Sequence, residues 1–141
     1  MNAFRLCLIV AILLFFQSCG SAQKEENTKM RAEVIAIHDE VMPKLGKIKS
    51  QAKLATERAG DLATGEQVDS LHVQSLKDLA VELDAAYEAM FVWMRQYETE
   101  DGELTPEEVN IYLDEQLILV TEVNHKMKSA LSKADSLLQD H

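Results

Sequence analysis

His38 is the first residue whose type suggests chemistry, because it stands in the segment HDEVM at residues 38–42. A hydrolytic zinc site of the HExxH type needs a second histidine four residues after the first. Met42 occupies that position, so the segment does not predict zinc-dependent hydrolysis. The sequence also contains no GxSxG motif and no glycine-rich phosphate loop. We therefore predict that the protein is not an enzyme and has no catalytic residues.

A second set of ligand-type residues is spread over three predicted helices. If the first two helices run antiparallel, His38 and Met90 fall in layers about 3 Å apart. Met42 and Tyr112 reach the same region. Imidazole and thioether groups together could ligate haem iron or Cu(I), which gives an alternative function as a small-ligand binder. Methionine more often fills core space, and a histidine on a helix seam is more often hydrogen-bonded there, so we predict no cofactor.

The acidic segment from Glu100 to Glu108 resembles the second half of an EF-hand loop. If Gly102 takes loop position 6, Glu108 takes position 12, but Tyr97 and Thr99 then take positions 1 and 3, where calcium needs carboxylates. A capped turn between two helices accounts for the same residues. We therefore predict no metal site in this segment.

Ser70 is a candidate for modification. Asp69-Ser70-Leu71 and Asp135-Ser136-Leu137 resemble the Asp-Ser/Thr-apolar sequon for O-glycosylation of exported Bacteroidota proteins. Ser70 lies near a predicted turn, which makes it the more accessible of the two serines. The alternative is that Asp69 and Ser70 cap the start of a helix.

Three helices must position these residues, because apolar side chains recur at alternating steps of three and four from Thr28 onward. The helices are predicted at about residues 28–62, 67–98 and 106–139, each about 50 Å long. Short connections between helices of equal length favour antiparallel neighbours. We therefore predict an all-α, up-down-up three-helix bundle over residues 28–141.

Two local signals refine this prediction. Thr105, Pro106 and Glu108 have the spacing of a capping box with proline at the first helical position, which places a helix start at Pro106. Pro43 lies inside the first helix and predicts a kink there, with two separate helices as the alternative.

The predicted core consists of one seam on each helix. In order, the seams are Val34, His38, Val41, Leu45, Ile48, Ala52 and Ala55; Leu76, Leu79, Leu83, Ala86, Met90, Trp93 and Tyr97; and Val109, Tyr112, Gln116, Leu119, Val123, Met127, Ala130, Ala134 and Leu137. The third helix is apolar on more than one side, which is typical of a central helix or one covered by a partner. Its surplus residues Ile111, Leu113, Ile118 and Leu131 are predicted to form a contact or self-association face.

Composition limits the classes of function. The chain has 141 residues, and its 14 Lys+Arg against 24 Asp+Glu give a formal charge of −10. Its length favours one domain. Binding to nucleic acid needs clustered basic residues, so we predict no nucleic-acid partner.

The first eighteen residues predict a secretory signal peptide, with Arg5 followed by an apolar run from Leu6 to Phe16. That run is too short to span the ~30 Å hydrocarbon core of a membrane as a helix. The sequence FQSCG at residues 16–20 resembles a bacterial lipobox, so we predict acylation of Cys19. Ordinary signal cleavage and an uncleaved anchor are the alternatives. Residues 19–27 are then a flexible polar tether.

Two longer segments resemble a family of small Bacteroidota lipoproteins. They are HDEVMPKLGKIK, from His38 to Lys49, and LDAAYEAMFVWMRQY, from Leu83 to Tyr97. Members of this family are often labelled with the name of a viral A-type inclusion protein, a label without functional content. The resemblance implies a helical, lipid-anchored protein of the cell envelope and carries over no catalytic residue.

Together these patterns predict a non-enzymatic lipoprotein of the outer membrane, on its periplasmic or cell-surface face. The membrane is contacted through the N-terminal acyl groups, palmitate among them. The expected macromolecular partner is another envelope protein or a second copy of the chain.

Overall fold

The computed structural model describes the backbone of residues 2–65 and 68–139 and the side chains of residues 21–65 and 68–139. Helix α1 covers Asn2–Val41, a 3-10 turn covers Met42–Lys44, α2 covers Leu45–Ala63, α3 covers Ser70–Gln96 and α4 covers Pro106–Gln139. No strand occurs in the described backbone, and the predicted all-α class with three long helical stretches is confirmed. The predicted signal peptide (residues 1–18) and the predicted lipidation site at Cys19 lie outside the residues whose side chains are described.

The chain divides into two compact units, each built from two stretches of sequence. The first combines Met1–Ile35 with Glu98–Leu117, and the second combines Ala36–Tyr97 with Ile118–His141. The sequence predicted one bundle over residues 28–141. Because α1 and α4 contribute residues to both units, the apolar periodicity along these helices gives no sign of the division. Over residues 21–65 and 68–139, no helix is both long enough and apolar enough to cross a membrane.

In the second unit, α3 runs opposite to the chain that precedes it. The ring of His38 at the end of α1 lies 5.5 Å from the ring of Trp93, late in α3. Further along the chain, Lys49 Nζ is 2.8 Å from Asp84 Oδ1, earlier in α3. Rising residue numbers on one side thus meet falling numbers on the other, as an antiparallel pair requires.

Within the same unit, α4 runs parallel to α1 and α2. Asn124 Nδ2 donates to the carbonyl of Ile37 at 2.9 Å, and Lys47 Nζ donates to Asp135 Oδ1 at 2.8 Å. Here the residue numbers rise together on both sides. The second unit is therefore the up-down-up three-helix arrangement that the sequence predicted.

The core of the second unit follows the predicted seam of α3. Leu76, Leu79, Leu83 and Met90 are all fully buried. Burying a side chain of this size stabilises the folded state by about 1.5–3 kcal/mol relative to leaving it in water.

The seam of α4 differs from the prediction most at Leu119, and near its end Leu138 is buried whereas the predicted Leu137 is only half-buried. Leu119, predicted to be in the core, is 45% exposed, while its neighbour Val120 is fully buried. Both residues are apolar, so periodicity alone could not decide between them. The observed seam passes through Leu113, Val120, Met127 and Ala134, which are all fully buried and recur every seven residues.

Pro43 separates α1 from α2 without ending the row of buried side chains. It lies in the 3-10 turn between α1 and α2, where the backbone N–H of Leu45 donates to the carbonyl of Met42. Val41 before the turn and Ile48 after it are both fully buried. Because proline lacks the N–H of a regular α-helical hydrogen bond, the chain takes a tighter 3-10 turn here. The row of buried side chains continues on the other side of the turn.

The predicted flexible tether is helical in its described part, because residues 21–27 belong to α1. Asn27 is buried in the first unit and holds this part of the helix in place. Its Nδ2 donates to the carbonyl of Pro106 at 2.7 Å, and its Oδ1 accepts from Asn110 at 3.2 Å and from Gln23 at 3.2 Å. The polar composition of residues 19–27 predicts a linker because the partners Pro106 and Asn110 lie 79 and 83 residues away from Asn27 in the sequence.

Side-chain caps fix where α3 and α4 begin. Asp69 Oδ1 accepts from the N–H groups of Leu71 and His72 at 3.1 Å each, so α3 starts at Ser70, three residues later than predicted. At α4 the N–H of Thr105 donates to Glu108 Oε2 at 2.8 Å, and the N–H of Glu108 donates to Thr105 Oγ1 at 3.3 Å. This is the reciprocal capping box that the sequence indicated.

Substitution of Thr105 tests the contribution of this box. Thr105→Ala removes the hydroxyl acceptor and should lower the free energy of unfolding by about 0.5–2 kcal/mol. Thr105→Ser keeps the acceptor and should match the wild type. Urea denaturation followed by circular dichroism measures both variants; equal loss in the two would contradict a capping role.

Candidate functional site

His38 contacts the carboxylate of the next residue and an aromatic ring of α3. Its side chain is 17% exposed, and Nδ1 lies 2.8 Å from Asp39 Oδ1. The ring is tilted by 38° against Trp93, whose own ring stacks on Tyr97 at 4.9 Å. This arrangement orients the imidazole and packs it between α1 and α3.

The two methionines of the proposed haem or copper site differ in environment. Met90 is fully buried, whereas Met42 is half-buried in the 3-10 turn. A fully buried thioether can reach an iron or copper ion only if the surrounding core opens. Within the described residues, no group of three or more His, Cys, Asp or Glu is arranged to hold a metal ion.

Tyr112 belongs to the first unit, whereas His38, Met42 and Met90 belong to the second. The hydroxyl of Tyr112 accepts a hydrogen bond of 2.6 Å from the backbone N–H of Glu98. It therefore holds the segment between α3 and α4, a role that its position on the predicted seam did not indicate.

Arg31 of α1 binds to the acidic segment that resembles half of a calcium loop. Arg31 donates from Nη1 to the carbonyl of Glu98 at 2.8 Å and from Nη2 to Asp101 Oδ1 at 2.5 Å. Gly102 has a φ of +58°, a left-handed conformation that glycine adopts without strain. The positively charged guanidinium of Arg31 thus binds the oxygen atoms of Glu98 and Asp101. No local pattern pointed to Arg31, because its partners are about seventy residues away.

A polar cluster of the second unit was also missed. Asn124 is buried and donates from Nδ2 to Glu40 Oε2 at 3.0 Å, and Lys128 Nζ lies 2.5 Å from Glu40 Oε1. The hydrogen bond from Lys128, followed by the one from Asn124, lowers the pKa of Glu40 below its ordinary value of 4.5. The cluster joins α1 to α4.

The predicted contact face on α4 is only partly at the surface. Leu113 and Leu131 are buried in the cores, so the sequence assigned them wrongly to this face. Ile118 and Leu119 are 61% and 45% exposed and are adjacent on α4 in the second unit. In the first unit α4 exposes Ile111. Large contiguous apolar surfaces mark sites that a partner covers, and Ile118 and Leu119 supply two exposed aliphatic side chains to this part of α4.

Ser70 is exposed as the first residue of α3. Its neighbour Asp69 caps the helix, so the alternative interpretation of this pair as a helix start describes the observed geometry. Exposure also leaves the Ser70 hydroxyl accessible, and its glycosylation stays a prediction.

Comparison with known proteins gave no relative: no protein-family model, curated protein or solved structure matches this chain.

The pKa of Glu40 leads to a pH-dependent prediction. Because this pKa is lowered on folding, the ionised carboxylate stabilises the folded state above the ordinary value of 4.5, and the benefit is lost as the pH falls through the lowered pKa. Glu40→Gln should therefore be less stable than the wild type at pH 7 and equally stable at acidic pH. Thermal denaturation at both pH values measures the difference, with Glu122→Gln, an exposed position on α4, as the control. A constant difference between wild type and Glu40→Gln would contradict the account.

Met90 gives a second prediction. Met90→Ala should lower the free energy of unfolding by about 2–5 kcal/mol, because it leaves a cavity in a filled core. Met90→Leu keeps most of the volume and should cost less than about 1.5 kcal/mol. Chemical denaturation compares the two; a small effect of the alanine variant would show that Met90 is not a packing residue.

Proposed function

We propose that the protein is a lipoprotein of the outer membrane, held by acyl groups on Cys19, and that it acts by binding another envelope protein rather than by catalysis. Support for the anchor comes from the sequence, where a short apolar run ends at FQSCG. A lipobox cysteine becomes the first residue of the mature chain. The mature chain then begins at Cys19, and the polar residues that precede Asn27 follow it.

The pair Ile118 and Leu119 is the observation that carries the binding proposal. Each is more than two-fifths exposed on a helix whose opposite side supplies the core. A partner that covers them removes apolar surface from water at about 25 cal/mol per Å². The acidic residue Glu122 lies exposed one turn after Ile118 in the same unit, which favours a partner with a basic side chain beside an apolar centre.

Photo-crosslinking in intact cells tests this proposal. A photoreactive phenylalanine at Ile118 should give a discrete adduct of higher mass, and Leu119→Glu on the same chain should reduce it. The matched control carries the photoreactive residue at Lys53, whose side chain is 77% exposed on α2. No adduct from position 118, or the same adduct from position 53, would contradict the proposal.

The alternative function, haem or copper binding through His38 and Met90, gains no support from a fully buried Met90 and a His38 paired with Asp39. Titration with haemin or with anaerobic Cu(I) separates the two proposals. A saturable rise in melting temperature that His38→Ala abolishes would favour the ligand binder and count against a purely protein-binding role.

A further inference from the structure

A groove in the second unit lies between the last third of α4 and the chain that forms the 3-10 turn and the start of α2. Its volume is about 730 Å³, within the range of small-molecule sites. The lining includes Lys44 and Lys47 on one side and Lys128, Ser132 and Asp135 on the other. All five residues belong to the second unit. We call this feature the lysine groove.

The lysine groove is a local excess of positive charge on an acidic chain. Lys47 Nζ is 2.8 Å from Asp135 Oδ1, and Lys128 Nζ is 2.5 Å from Glu40 Oε1. An ammonium group carries three N–H donors, so each of these lysines keeps a donor for a further acceptor. With Lys44 included, three lysines stand against two carboxylates, and one positive charge is left unmatched.

Lys44 carries that unmatched charge. In the part of the chain that the structure describes, its ammonium forms no ion pair, and its charge acts on Glu40 without a hydrogen bond. Lys44 is also half-buried, whereas the other lysines whose side chains are described are exposed. A cation that is partly removed from water and has no acidic partner is stabilised when an anion binds beside it.

Ion pairs on both sides of Lys44 hold the groove in shape. Glu40 meets Lys128 and Lys47 meets Asp135, so Lys44 falls between the two pairs along the parallel chains. Lys128 and Asp135 are seven residues apart, which is about 10 Å along α4. Because the two carboxylates already restrain their lysines, less side-chain freedom is lost when a ligand binds.

We propose that the lysine groove binds the phosphate group of a phosphate ester, with Lys44 at its centre and Lys47 and Lys128 beside it. A phosphate group offers more oxygen atoms than a carboxylate, and separate ammonium groups bind these atoms as point charges. The planar fork of arginine, which suits carboxylates, is absent from the lining, and the hydroxyl of Ser132 adds a neutral donor. The groove is larger than a phosphate group, so part of the esterified alcohol fits as well.

The lysine groove is distinct from the apolar pair on α4. Lys128 comes nine residues after Leu119, which is about 13 Å along the helix. Binding of a phosphate ester therefore does not depend on the proposed protein partner or on the lipid anchor.

The phosphate can belong to a free ester or to the headgroup of a lipid, and calorimetric titration of the purified full chain in neutral detergent distinguishes these sources. Glycerol 3-phosphate is the free probe, and dihexanoylphosphatidic acid carries the same ester with acyl chains. The ionic strength is held constant, and acetate should give no saturable heat. Binding of both probes would support a free ester, and binding of the lipid probe alone would support a headgroup.

Variants of single lysines locate the site. Lys44→Gln should weaken binding about tenfold or more because it removes the central charge, whereas Lys44→Arg keeps the charge and should retain most of the affinity. The matched control is Lys126→Gln, which removes the same charge at an exposed position of α4 outside the groove and should leave the affinity unchanged. Absence of saturable binding with both probes, or equal weakening by Lys44→Gln and Lys126→Gln, would overturn the proposal.

Discussion

Burial of the leucine seam of α3 is the constraint on which the second unit depends. Leu76, Leu79 and Leu83 are fully buried, and removing each from water contributes more than an exposed ion pair, which is worth about 0–1 kcal/mol. The seam therefore fixes how the neighbouring helices align. Ion pairs such as Lys49 with Asp84 follow from that alignment and add specificity rather than most of the stability.

The sequence alone is sufficient to predict the features that depend on local patterns of residues. Fold class, the seam of α3 and the capping box at Thr105 need only periodicity and neighbouring residues, and the structure contains all of them. The α4 register was ambiguous because Leu119 and Val120 are both apolar. Val120 lies seven residues from both Leu113 and Met127, which are fully buried, so it shares their side of the helix and Leu119 is left at the surface.

Long-range polar contacts could not be predicted in the same way. Asn27 and Asn124 are buried polar residues, and the partners that tie them to α4 and α1 lie 79 to 87 residues away in the sequence. A buried amide is tolerated only when it is hydrogen-bonded, and its partners become known only once the helices are paired. For this reason residues around Asn27 were interpreted as a tether, and the role of Arg31 in the acidic segment was not foreseen.

The segment HDEVMPK has a structural explanation that needs no ligand. His38 packs on Trp93, Glu40 accepts from Asn124 and Lys128, and Pro43 makes the 3-10 turn. These contacts hold the end of α1 against α3 and α4. Residues that first suggested metal chemistry thus serve the packing of the helices.

The central claim, that this bundle works as an acylated protein of the envelope, is tested most directly by the intact mass of the protein extracted from its own membranes. The account predicts a chain that begins at Cys19 and carries the added mass of acyl groups on that residue. A chain that retains residues 1–18, or that begins at another residue without added lipid, would contradict it.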